Sequence, residues 1–142
     1  MANVHKDFHG ALSYGLQFLD DHLGQDAAPE FLSFLASSVY RPLVEDIRAR
    51  GIHALSDHWR RVFELEGGEI ELRQDEDRLE LRVSRCPAIA HMNEHAYAIA
   101  TRFCQHTRIV NEAVCRAAGF DCAVECDQAA GRCVQRFWRI PQ

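Results

Sequence analysis

Apolar positions recur at helical spacing through the first 66 residues and then switch to alternation. Phe8, Leu12, Gly15/Leu16, Leu19 and Leu23 share one helical face, and Gly24 closes that helix. A second helix opens near Ala28-Pro29-Glu30, with Phe31, Leu32, Phe34 and Leu35 as its apolar face. Pro42 breaks it after Tyr40, and a continuation through Ile47 ends at Gly51. A third runs from about Ala54 to Glu66, with Leu55, Trp59, Val62 and Phe63 inward, until Gly67-Gly68 stops it.

Period two follows. Ile70 and Leu72 alternate with Glu69, Glu71 and Arg73, and Leu79, Leu81 and Val83 alternate with Arg78, Glu80 and Arg82. Gln74-Asp75-Glu76-Asp77 reads as the turn of a hairpin with one charged, wet face. A long helix is expected from Cys86 to about Ala118, closed by Gly119. Phe120, Cys122, Val124 and Cys126 then alternate with polar neighbours, and Cys133 to Ile140 is rich in strand formers. The pattern predicts an α+β fold: N-terminal helices and a long central helix packed on a four-stranded antiparallel sheet, with strands near 68–74, 78–85, 120–127 and 132–140. One domain is expected over 1–142, helical over 1–66 and ββαββ over 67–142.

Composition narrows the function classes. The chain has 142 residues, 47% apolar and 26% charged, with net charge −5, an ordinary globular composition. The arginines alternate with acids and form no basic stripe, so no nucleic-acid surface is expected. No apolar run is long enough for a membrane span. The polar start Met1-Ala2-Asn3-Val4-His5-Lys6-Asp7 lacks a signal-peptide core, which places the protein in the cytoplasm as an expectation. Its six cysteines are then expected to be free, buried, catalytic or metal-bound rather than paired in disulfides.

Candidate chemistry concentrates in Cys86-Pro87-Ala88-Ile89-Ala90-His91-Met92-Asn93-Glu94-His95. Pro87 suits a first helical turn, which puts Cys86 at the N-cap, where backbone N–H groups favour a thiolate. His91 and His95 are one turn apart and share a face. On a continuous helix the stripe of Ile89, Met92, Ala96, Ile99, Phe103, Val110, Val114 and Ala117 is core. His91, His95, Arg102 and His106 lie on one shoulder, with Cys104 and Cys115 on the other. His91 to His95 also spells H-x-x-E-H, the inverted zinc-protease motif. The chain is too short for such a protease, and a divalent metal, zinc or another, on His91 and His95 is what remains. Cys86 is the nearest third ligand. Cys122, Cys126 and Cys133 form a second group, read either as converging metal ligands or as small buried apolar side chains.

Cys86, Phe103-Cys104 and Ala130-Gly131-Arg132-Cys133 followed by Phe137 resemble the L-2-amino-thiazoline-4-carboxylic acid hydrolase-like family. Val124-Glu125-Cys126 with Gly131-Arg132-Cys133 also looks like the tail of the 4-vinyl reductase domain, a small-molecule-binding module. The resemblance spans roughly residues 80–140. It departs where the hydrolase-like family is expected to carry an acid after the middle cysteine, since Gln105-His106 follow Cys104. It implies a hydrolase acting on a small sulfur- or nitrogen-containing molecule. Cys86, Glu94 and Cys104 would be catalytic, with Arg102, His106 and Cys133 binding substrate and Cys86, His91 and His95 holding metal. The alternative is a non-enzymatic, sensor-like binding domain. The expected partner is a small-molecule substrate or ligand, with a homodimer left open.

Overall fold

The computed structural model describes residues 4–141. Helices α1 (Asp7–Leu23), α2 (Ala27–Val39), α3 (Arg41–Arg50) and α4 (Ile52–Glu66) precede strands β1 (Glu69–Gln74) and β2 (Arg78–Arg85). Helices α5 (Pro87–Glu94) and α6 (Gln105–Ala117) lead to β3 (Phe120–Asp127) and β4 (Arg132–Arg139). The four strands form one antiparallel sheet in the order β1-β2-β4-β3. The α+β class and the strand positions read from period two are those of the structure.

Alternation sorts the sheet into two faces. Leu79, Leu81, Val83, Phe120, Cys122, Gln135 and Phe137 point into the core. The opposite face is wet and laced with ion pairs: Arg136 reaches Glu80 at 3.3 Å and Glu125 at 3.4 Å, and Arg82 meets Glu80 at 2.7 Å. Helix α6 lies over β3, α4 over β1 and β2, and α2 packs on α6. The inward face of α2 is Ala28, Leu32 and Ala36; of the expected set Leu32 is buried, whereas Phe31 is exposed and Phe34 is 70% exposed. Close packing of α2 on α6 favours the smaller side chains. Phe8 and Leu23 of α1 are likewise exposed, whereas Leu16 is buried.

The helix expected from Cys86 to Ala118 is in fact two helices. Helix α5 ends at Glu94. Ala96 then adopts a left-handed φ of 56°, and Tyr97 N–H closes back on Met92 O at 2.9 Å. This is the bonding of a helix C-terminus. A left-handed alanine costs about 1–2 kcal/mol, and tertiary hydrogen bonds offset it. The Ser13 hydroxyl of α1 accepts from Ala100 N–H at 2.7 Å and donates to Ala98 O at 3.2 Å. Tyr14 Oη accepts from Ala98 N–H at 3.0 Å, and Gln17 Oε1 from Thr101 N–H at 2.9 Å. Helix α1 thus takes over backbone groups that a continuous helix would satisfy internally. The close approach needs Gly10: a Cβ there would lie 2.8 Å from the Tyr97 ring. The break also undoes the expected core stripe. Ile89, Met92, Phe103, Val110 and Val114 are buried, but Ala96 and Ala117 are exposed and Ile99 is partly buried.

Candidate functional site

The helix break decides where the thiols go. The amide of Gln128, in the β3–β4 turn, bridges to the 100–104 segment. Its Oε1 accepts from Cys104 N–H at 2.9 Å, and its Nε2 donates to Ala100 O at 2.8 Å. Cys104 is thereby held at the tip of the β3–β4 hairpin, where its thiol meets that of Cys126. Cys126 stands directly opposite Cys133 in the β3–β4 register, and their thiols interact. Cys86 arrives from a third direction: its N–H donates to Gly131 O at 2.9 Å in the same turn. Four cysteines from four segments therefore surround one hairpin tip. Two of them, Cys126 and Cys133, are brought together by register, and Cys104 by the break and Gln128.

The thiols of Cys86, Cys126 and Cys133 stay protonated at neutral pH. Contact with Cys104 pushes Cys126 up to about 12, and contact with Cys126 pushes Cys133 up as well. Cys86 is the N-cap of α5, as the sequence predicts, with φ −74° and ψ 119°. The N–H groups of Ala88 and Ile89 favour its thiolate, but burial outweighs them and moves the thiol above its ordinary value. The expectation of an activated, low-pKa Cys86 is corrected accordingly.

The other two cysteines form a separate pair. Cys115 of α6 is fully buried and touches Cys122 of β3, which keeps its proton on. The expectation of Cys122, Cys126 and Cys133 as one group is thus revised: Cys122 belongs with Cys115, and Cys104 takes its place. Cys104 and Cys115 had shared one shoulder of the continuous helix. In the structure each meets a different cysteine of β3. All six cysteines are free.

The histidine pair lies elsewhere and is already engaged. His91 Nε2 pairs with Asp7 Oδ1 at 2.9 Å, and the Tyr97 hydroxyl donates to the same oxygen at 3.0 Å. These contacts, His91 first, hold Asp7 below the usual carboxylate range. His95 Nδ1 donates to His91 O at 2.9 Å, and the two rings lie 4.1 Å apart, centroid to centroid. Glu94 is exposed and pairs with Arg85 at 3.1 Å. Among the described residues no three His, Cys, Asp or Glu side chains stand ready around a common point for a metal ion. Neither Cys86, His91 and His95 nor the thiols at the hairpin tip are assembled as a ligand set in this structure.

The remaining expected site residues divide. Arg102 is committed to Asp20, at 2.6 and 3.1 Å, and to Gln25 O at 3.0 Å. It serves as a clamp between the 100–104 segment and α1, not as a free anion anchor. Nδ1 of His106 donates to Phe103 O at 2.6 Å, and burial lowers its pKa, so the ring is neutral at pH 7. A shallow groove of about 260 Å³ runs along the open edge of β3 and is lined by Arg102, Cys104, Gln105, Arg108, Val124 and Cys126. A second groove, about 610 Å³, borders Cys126 and Cys133 beside Glu71, Arg82 and Val134. Of the register pair, Cys126 is exposed and Cys133 is partly buried.

Sequence reasoning placed Cys126 with Cys133 across their turn, but it missed that Cys104 joins them. Gln128 carried no signal, because its role exists only once Cys104 is beside it. No helix among the described residues is long and apolar enough to cross a membrane. Neither a protein-family model nor a curated protein matches the chain.

Proposed function

We propose that this protein is a small-molecule-binding domain whose chemical centre is the thiol cluster Cys104, Cys126 and Cys133, with Cys86 beside it, and that the cluster takes a thiophilic divalent cation such as zinc. The observation that carries this reading is the convergence of thiols from separate segments on one hairpin tip, held there by Gln128. Buried cysteines serve elsewhere as small apolar side chains, but Cys126 is exposed and sits on an edge strand. Thiols bind zinc as thiolates, and the cation itself displaces their protons. Closing three sulfurs on one ion requires side-chain rotation at Cys104, Cys126 and Cys133, with Cys86 or an incoming ligand in the fourth position.

The hydrolase reading shares these residues but asks more of them. It needs a thiolate at neutral pH and a neighbouring base. The raised thiols of Cys86, Cys126 and Cys133 give it less support than the binding reading.

The test is titration of the fully reduced protein with cobalt(II), a spectroscopic stand-in for zinc. Sulfur-to-metal charge-transfer absorption at one ion per chain, lost in Cys126→Ser and displaced by zinc, is the expected result. Absence of that band, or its persistence in Cys126→Ser, would sink the proposal.

A further inference from the structure

The β3–β4 register gives Cys126 and Cys133 a geometry that metal binding does not require. The two are Cα partners, and the register is unbroken from Phe120/Arg139 to Asp127/Arg132. Ile140 N–H donates to Gly119 O at 3.0 Å, which marks that position as a hydrogen-bonded pair. Bonded and non-bonded pairs alternate along an antiparallel ladder. Counting along the hairpin makes Asp127/Arg132 a bonded pair and Cys126/Cys133 a non-bonded one. Non-bonded pairs are the closer kind, with Cα atoms about 4.5 Å apart, inside the span that a disulfide bridges. The third thiol, Cys104, interacts with Cys126.

We propose that Cys126 and Cys133 form a reversible disulfide by exchange with low-molecular-weight disulfides, and that Cys104 is a resolving thiol able to replace Cys133. In the first step the small ionised fraction of Cys126 attacks one sulfur of the small disulfide, slowly at neutral pH because contact with Cys104 raises this thiol, and faster as pH rises. A mixed disulfide forms on Cys126 as the original S–S bond breaks, and one small thiol leaves with a proton. In the second step Cys133 gives up its proton and attacks Cys126 Sγ. The protein disulfide forms and a second small thiol leaves. Two electrons pass from the two protein sulfurs to the small disulfide, and two protons go with them. The bond closes only the short β3–β4 turn, so the fold does not have to rearrange to form it. Exposed disulfides of this kind are the labile ones. Cys115 and Cys122 are paired too, but Cys115 is fully buried and out of reach of an incoming disulfide. The proposal is independent of whether the cluster binds a cation.

The experiment incubates the full reduced chain with oxidised glutathione and a chelator at mildly alkaline pH, where the raised thiols exchange faster, then traps thiols with acid and an alkylating agent. The expected wild-type product has lost two hydrogens and two of its six alkylatable thiols, and peptide mapping finds a Cys126–Cys133 link that reduced glutathione reverses. Cys133→Ala is expected to yield a Cys104–Cys126 link instead, and Cys104→Ala to leave the wild-type link intact. Retention of six free thiols, or a link confined to Cys115–Cys122, overturns the proposal. A mixed disulfide that persists on Cys126 in Cys133→Ala overturns the role of Cys104. Because the chelator removes metal and the cobalt titration is run under reduction, either reading can fail without the other.

Discussion

Gln128 and Cys104 are joined by a 2.9 Å hydrogen bond from the backbone N–H of Cys104 to the Gln128 side-chain oxygen. That bond fastens the segment between α5 and α6 to the β3–β4 turn, and it brings a helix-side cysteine onto two strand cysteines. Replacing Gln128 with Ala leaves the Cys104 N–H and the Ala100 carbonyl without their partner. The expected cost is about 1–3 kcal/mol, measured by denaturant unfolding. Cobalt affinity should fall more than stability alone explains, since Cys104 loses its tether. Unchanged cobalt affinity in a folded Gln128→Ala variant would show that the tether does not position the thiols.

Ser13 is fully buried and serves two backbone groups of the 98–100 segment. Ser13→Ala keeps the helix but leaves the Ala100 N–H and Ala98 carbonyl without the hydroxyl. A loss of about 1–3 kcal/mol is expected, with faster hydrogen exchange concentrated at residues 96–101. Uniform exchange across the chain, without local loss of protection, would contradict the role assigned to Ser13.

His58 gives an acid-sensitive component to stability. Burial, and next the charge of Arg61, lower its pKa from 6.5 to about 4 in the folded state. The unfolded chain therefore binds a proton at a higher pH than the folded chain does. Stability from this group is present above pH 6.5 and is lost as pH falls toward 4, by up to about 3 kcal/mol. His106 acts in the same direction through its own burial. His58→Phe should flatten the unfolding free energy between pH 6.5 and 4 relative to wild type. Parallel pH profiles for the two proteins would mean that His58 is solvated.

The double variant His91→Gln/His95→Gln tests whether this histidine pair takes part in the chemistry. Their partners are Asp7, 70% exposed, and the helix's own carbonyl. Exposed pairs of this kind are worth about 0–1 kcal/mol. The variant should keep its stability within that range and retain cobalt stoichiometry at the thiols. Loss of the cobalt band would return the metal to the histidines.

Much of this protein was decided by local pattern. Alternation in β1 to β4 sets which side chains face the core, because successive strand residues point to opposite faces. The breaks at Pro42 and Gly51, and the capping position of Cys86, follow from backbone chemistry that acts within a few residues. The symmetry of Cys126 and Cys133 about their turn is of the same local kind. The division of the expected long helix is not. Nothing in Ala96-Tyr97-Ala98 forbids a helix, and alanine favours one. The segment unwinds because Ser13, Tyr14, Gln17 and Gln128 offer its backbone better partners from elements far away in the chain. That long-range exchange of hydrogen bonds moves Cys104 from a helix shoulder to Cys126, and only the tertiary structure could decide it.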